Sequence, residues 1–198
     1  MSDQPLLYIV RHGATGTGDD QYNSPENPEL SEEGIAQAEE AGKFLSDRLV
    51  GGLYTSGLKR AKESADIIGK AIHRIPMIDE SIHSLDVGDV ANMADNDEAD
   101  RVMKHHQSNP DKPLPGGESI RHFQDRVQPA LMRRIEHYYQ TGVPDIDVAH
   151  HSVQHEAGNM FNGNRDSALS KPGGVVAVYQ DGPGKFRAVP IFKPEERS

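Results

Sequence analysis

The chain has 198 residues, enough for one domain enclosing a sizeable core. With 21 Lys and Arg against 31 Asp and Glu its formal charge is -10, which disfavours nucleic-acid backbone and anionic membrane as principal partners and confines any anion site to a local concentration of positive charge. It contains no cysteine, which removes disulfides, thiolate metal centres and a cysteine nucleophile.

In chain order, the first element is "LLYIV", Leu6 to Val10, a continuous apolar run that reads as a central strand buried on both faces. The run is too short for a signal peptide or a membrane span, so a soluble, cytoplasmic protein is expected. It ends in Arg11-His12-Gly13, followed by a Gly-, Asn-, Asp- and Pro-rich stretch that predicts a long loop where a binding loop would sit. Ser31 is the expected N-cap of a helix that places Ile35, Ala38, Ala41/Gly42 and Leu45 on one face. Gly52 to Ser56 predicts a short strand. Ser56 is then placed to cap a helix lined by Leu58, Ala61, Ala65 and Ile68/Ile72.

Residues 81–117 are polar and turn-rich and read as a partly helical, cap-like excursion from the sheet. A helix follows through Ile120, Phe123, Val127, Leu131 and Ile135, with Pro129 as a point of expected kinking. The segment "DIDVAHHSV" predicts a strand and a turn leading into a further helix, and the C-terminal part predicts a hairpin turning at "DGPG". The alternation implies a three-layer α/β/α sandwich around a mostly parallel sheet, in a single domain spanning 1–198.

In such sheets ligands bind beyond the carboxyl ends of the strands. Arg11-His12, Ser56 with Arg60, and His150-His151 all follow predicted strands. Two arginines and several imidazoles converging there describe a phosphate site, because guanidinium forks match phosphate oxygens and imidazoles donate protons or attack.

These segments also resemble the histidine phosphatase superfamily, the phosphoglycerate-mutase-like group. "RHG" after a hydrophobic strand looks like its signature, and "LSEEGIAQAEEAG", "LYTSGLKRAKESADII", "LPGGESIRHFQDRV" and "VAHHSV" are similar to further family segments in the same order. The resemblance implies a phosphohistidine formed on His12, with Arg11, Arg60 and His150 binding the phosphoryl oxygens. Gly13 would let the backbone turn beside the phosphate. Thr15 and Ser56 are further candidate donors, Glu118 would lie at or support the pocket rim, and His151 adds a second imidazole.

The pattern departs from the family at the general acid. Ser84 stands at the family's glutamate position, and Val90-Ala91-Asn92 replaces the usual Trp-Glu-Gly. Asp86 is the nearest carboxyl group in sequence, with His83 and Glu118 as the alternatives.

The resulting expectation is a phosphomonoester hydrolase acting on a small-molecule phosphate ester, with no cofactor, no metal, and neither nucleic acid nor membrane as partner. A catalytically depleted phospho-ligand binding protein and, less favoured, a phosphoglycerate-type mutase are the alternatives. His151 and His155 share an i, i+4 spacing able to hold a metal from one helix face, but no third ligand is evident in the sequence.

Overall fold

The computed structural model describes residues 4–16, 27–93 and 96–195. Most of the long loop expected after the first strand falls at 17–26, outside the described residues. Six strands form one sheet in the order β3-β2-β4-β1-β5-β6. They are β1 (Leu7–Arg11), β2 (Leu53–Thr55), β3 (Met77–Ile78), β4 (Asp145–Ala149), β5 (Val175–Gly182) and β6 (Lys185–Phe192). The first four run parallel, while β5 pairs antiparallel with β1 and with β6, forming the expected hairpin.

Side-chain alternation along β1 explains its unbroken apolar run. Leu7 and Ile9 face helices α4 (Ile120–Thr141) and α5 (His151–Asn162), while Tyr8 and Val10 face α1 (Glu32–Ser46) and α2 (Lys59–Ile72). Helices therefore cover both faces of the parallel part, giving the three layers. No helix among the described residues is long and apolar enough to cross a membrane.

Several local expectations change. Ser31 does cap α1, accepting from the Gly34 amide at 3.1 Å, but Ile35 is exposed and the buried stripe runs through Gly34, Ala38, Ala41 and Leu45. Helix α2 has Leu58 at its N-cap and so no side-chain cap; Ser56 stands two residues earlier and does not cap it. Pro129 lies inside α4, which continues through it as one helix. The short strand β3 has no signal in the sequence, because its two residues are exposed and carry no burial pattern.

The excursion contains two 3-10 turns, Glu80–Ile82 and Gly88–Asn92, and helix α3 (Asn96–Ser108). Val90, Ala99, Met103 and Leu114 give it a small apolar core of its own. It forms one wall of a cleft of about 1280 Å³ whose other walls come from α4 and the start of α5.

Candidate active site

The carboxyl ends of four parallel strands meet at one edge of the sheet. In register, Arg11 pairs with Ala149, while Thr55 pairs with both Val148 and Ile78. The residues that follow, His12, His150, Ser56 and Asp79, are thereby drawn to the same edge. Both α2 and α5 begin there, so their first-turn amides add positive potential for an anion.

His12 is buried, and its Nδ1 lies 2.7 Å from the carbonyl oxygen of Gly13. A carbonyl only accepts, so Nδ1 carries the proton and Nε2 holds the lone pair. Consistently, the Arg60 Nε–H donates to His12 Nε2 at 3.2 Å. Burial, reinforced by the Arg60 charge, pushes the imidazole down to about 3. His12 is therefore a neutral base with its lone pair beside a guanidinium, the state a nucleophile toward phosphorus requires.

The His150 ring lies 5.1 Å from that of His12 and is fully buried. Its Nε2 is 2.7 Å from Ser56 Oγ, while its Nδ1 has no hydrogen-bond partner. A buried imidazole nitrogen left unpaired is costly unless a ligand completes it. A phosphoryl oxygen can only accept, so the matching tautomer has Ser56 donating to Nε2 and the proton on Nδ1. Burial first, then the neighbouring His12 and Arg60, lowers the His150 pKa well below the ordinary histidine value. Arg60 is itself buried and lowered to about 10, so it remains a cation.

Arg11 is half-buried at the same strand end, with Nη1 donating to the Ser170 carbonyl at 3.2 Å, and its charge acts on both His12 and His151. Gly13 is needed for a different reason from the tight turn expected of it: a Cβ there would come within 2.2 Å of the Gly34 carbonyl oxygen. Its glycine permits close backbone contact with the first turn of α1. Thr15 is buried and forms an isolated antiparallel bridge with Leu30.

Asp86 lines the cleft but is exposed, and its Oδ1 accepts from the Gly88 amide at 3.0 Å, so it shapes a turn at the rim. Glu118 has a supporting position. Its Oε1 takes Arg126 Nη2 at 2.5 Å and the Asp86 amide at 3.0 Å, and its Oε2 takes Arg126 Nε at 3.2 Å and pairs with His122 Nδ1 at 3.2 Å. Arg126, which no sequence signal singled out, also donates to the carbonyls of Ser81, His83 and Ser84. Ser84, at the family's acid position, lies 3.4 Å from Ser152 Oγ, which also accepts from the Leu85 amide at 3.1 Å.

His151 lines the cleft and stacks edge-on against His155 at 4.3 Å. Burial, then the His155 and Arg11 charges, lowers it to about 3. Among the described residues no three His, Cys, Asp or Glu side chains are grouped to hold a metal ion.

These depressed histidines couple stability to pH. Between about 6.5 and 3 the unfolded chain holds protons on His12 and His151 that the folded chain lacks. Each contributes a slope of about 1.4 kcal/mol per pH unit, with stability falling as pH falls. Asp147, raised to about 6, works the other way below that pH, but it is one group against the lowered His12, His150, His151 and His155. The urea midpoint is expected to drop between pH 7.5 and pH 5, and to drop less in His151→Asn; an equal decline in the variant counts against this assignment.

Fold and site define an α/β protein with a buried neutral histidine, a second imidazole and an arginine gathered where parallel strands end. The chain belongs to the histidine phosphatase superfamily (branch 1), whose family model matches residues 7–173. It is 31% identical over 155 residues to a 2,3-bisphosphoglycerate-dependent phosphoglycerate mutase of Methylobacterium sp. (strain 4-46), covering 73% of this chain and 74% of the relative. A Salmonella choleraesuis (strain SC-B67) protein described as a probable phosphoglycerate mutase is 27% identical over 136 residues, covering 66% of this chain and 63% of that one. Among solved structures, a mycobacterial glucosyl-3-phosphoglycerate phosphatase superposes with a TM-score of 0.76 at 19% identity, covering 92% of this chain and 95% of its own. At that identity the likeness is one of fold.

Proposed function

We propose that this chain hydrolyses small-molecule phosphate monoesters through a phosphohistidine on His12. The observation that carries the reading is the pairing of His12 Nε2, unprotonated beside Arg60, with the unpartnered and buried Nδ1 of His150. The phosphoryl group sits against these atoms, with Arg60, Arg11 and His150 taking its non-bridging oxygens. The lone pair of His12 Nε2 forms the P–N bond as the ester P–O bond breaks, and water then cleaves the P–N bond and releases phosphate.

The mutase names of the relatives favour a second reading, transfer of the phosphoryl group back to a substrate. The charge of the cleft argues for hydrolysis instead. Beyond Arg60, and with Arg126 neutralised by Glu118, the walls hold Glu80, Asp86, Asp89, Asp100, Glu156 and Asp166 against Lys104 and Arg165. A phosphoglycerate presents a further anionic group, and such walls repel it.

Two assays in the presence of chelator test the choice: phosphate release from an aryl phosphate, and conversion of 3-phosphoglycerate to its 2-isomer. Release without isomerisation is expected. Isomerisation faster than release establishes the mutase, and tight phosphate binding without turnover establishes a binding protein.

A further inference from the structure

If His12 is the nucleophile, the departing alkoxide still needs a proton, and the family's glutamate position holds a serine whose hydroxyl meets Ser152. The cleft offers several carboxylates, three of which are held by neighbouring groups. Asp86 is held by the Gly88 amide, Glu118 by Arg126 and the Asp86 amide, and Glu156 by the amide groups of Gln124, Gln128 and Asn159. Glu80 stands at the cleft edge beside Gly57.

His83 is placed differently. Its ring is 6.2 Å from that of His150, which in turn is 5.1 Å from His12, so the three imidazoles are consecutive neighbours. Its Nδ1 lies 3.1 Å from the Ser84 carbonyl, which fixes the proton on Nδ1 and leaves Nε2 as the nitrogen available to a ligand. The side chain lines the cleft. Its backbone is clamped from both sides, by Arg126 on the carbonyls of Ser81, His83 and Ser84 and by Ser152 on the Leu85 amide. Such bracing is what a proton-transfer group needs to hold its geometry through the reaction. The charged and titratable groups around it are His150 from the β4–α5 junction, Arg126 with its partner Glu118, and Glu80 from its own turn.

We propose that His83 is the general acid and base of this site, replacing the glutamate that the chain lacks. The proposal rests on the phosphohistidine reading above. The acid form of His83 is the imidazolium, which carries a proton on each ring nitrogen. As His12 Nε2 bonds to phosphorus and the P–O bond breaks, the proton on His83 Nε2 passes to the leaving oxygen, releasing a neutral alcohol. In the second step His83, now neutral, takes a proton from the attacking water as the P–N bond breaks. Phosphate leaves, and both histidines return to their starting states.

An acid matters most where the leaving group is poor as an anion. The test compares His83→Asn with wild type on p-nitrophenyl phosphate and on glycerol 2-phosphate. Asparagine retains a donor for the Ser84 carbonyl but cannot relay a proton, and His83→Ala provides a second variant; thermal melts check that both fold. The expected result is a loss of about 10²-fold or more in kcat/KM for the glycerol ester with less than about tenfold for the aryl ester. Equal losses on the two esters, or no loss on either, overturn the assignment while leaving the phosphatase intact. A selective loss in Glu80→Gln instead moves the acid to that carboxylate. A wild type inactive on both esters overturns the phosphatase reading and this assignment with it.

Discussion

Replacing His12 with alanine is expected to reduce phosphate release from an aryl phosphate by about 10⁴-fold or more, with or without chelator. The magnitude follows from what the side chain supplies. Its Nε2 is the only atom of the cluster that combines a lone pair fixed by the neighbouring Gly13 carbonyl with direct contact to Arg60, so no other group is positioned to form the first bond. Acid-labile label from a phosphorus-32 substrate should appear on wild-type protein during turnover and be absent from His12→Ala. The variant should still bind inorganic phosphate, because Arg60 and His150 remain. Label retained in the variant, or turnover within tenfold of wild type, removes His12 from the reaction.

The second large effect is on stability. Replacing Arg134 with alanine should cost about 3–5 kcal/mol, because it strands a buried carboxylate. Asp147 on β4 is fully buried against the α4 layer, and Arg134 Nε donates to its Oδ1 at 2.9 Å. Arg134 Nη2 also meets Asp79 at 2.5 Å, and the guanidinium lies 3.4 Å from the centre of the Tyr54 ring. Burial raises Asp147 to about 6 even with Arg134 present, which shows how strongly the site resists a lone charge. Chemical denaturation of Arg134→Ala and of Arg134→Met combined with Asp147→Leu separates the causes. The double variant should recover most of the loss, since apolar packing can replace a buried ion pair; a double variant as unstable as the single means that packing by the long arginine side chain dominates.

Much of this architecture is written in local pattern. The unbroken apolar run of β1 required a strand covered on both faces, Ser31 marked the start of α1, and the two apolar strands around "DGPG" folded back as β5 and β6. Arg11-His12, Ser56 and His150-His151 could likewise be placed at strand ends from the sequence, because a parallel sheet puts those ends on one edge. These signals are periodicity, capping and strand termination, all of which depend on neighbours in the chain.

What the sequence by itself determined is thus the layer order, the family and the small set of residues at the strand ends. Their division of labour depended on contacts across long separations, which leave no local mark. Ser56 reads as a helix cap until the fold sets it 2.7 Å from His150, 94 residues away. Asp86 is the carboxyl group nearest in sequence to the missing acid, yet it turns to the Gly88 amide, while Arg126 and Glu118 brace the segment that presents His83. The tautomer of His12 and the lone nitrogen of His150 were also decided only by tertiary structure, because burial removes water as a partner and leaves each ring atom to be satisfied by whatever the fold brings beside it.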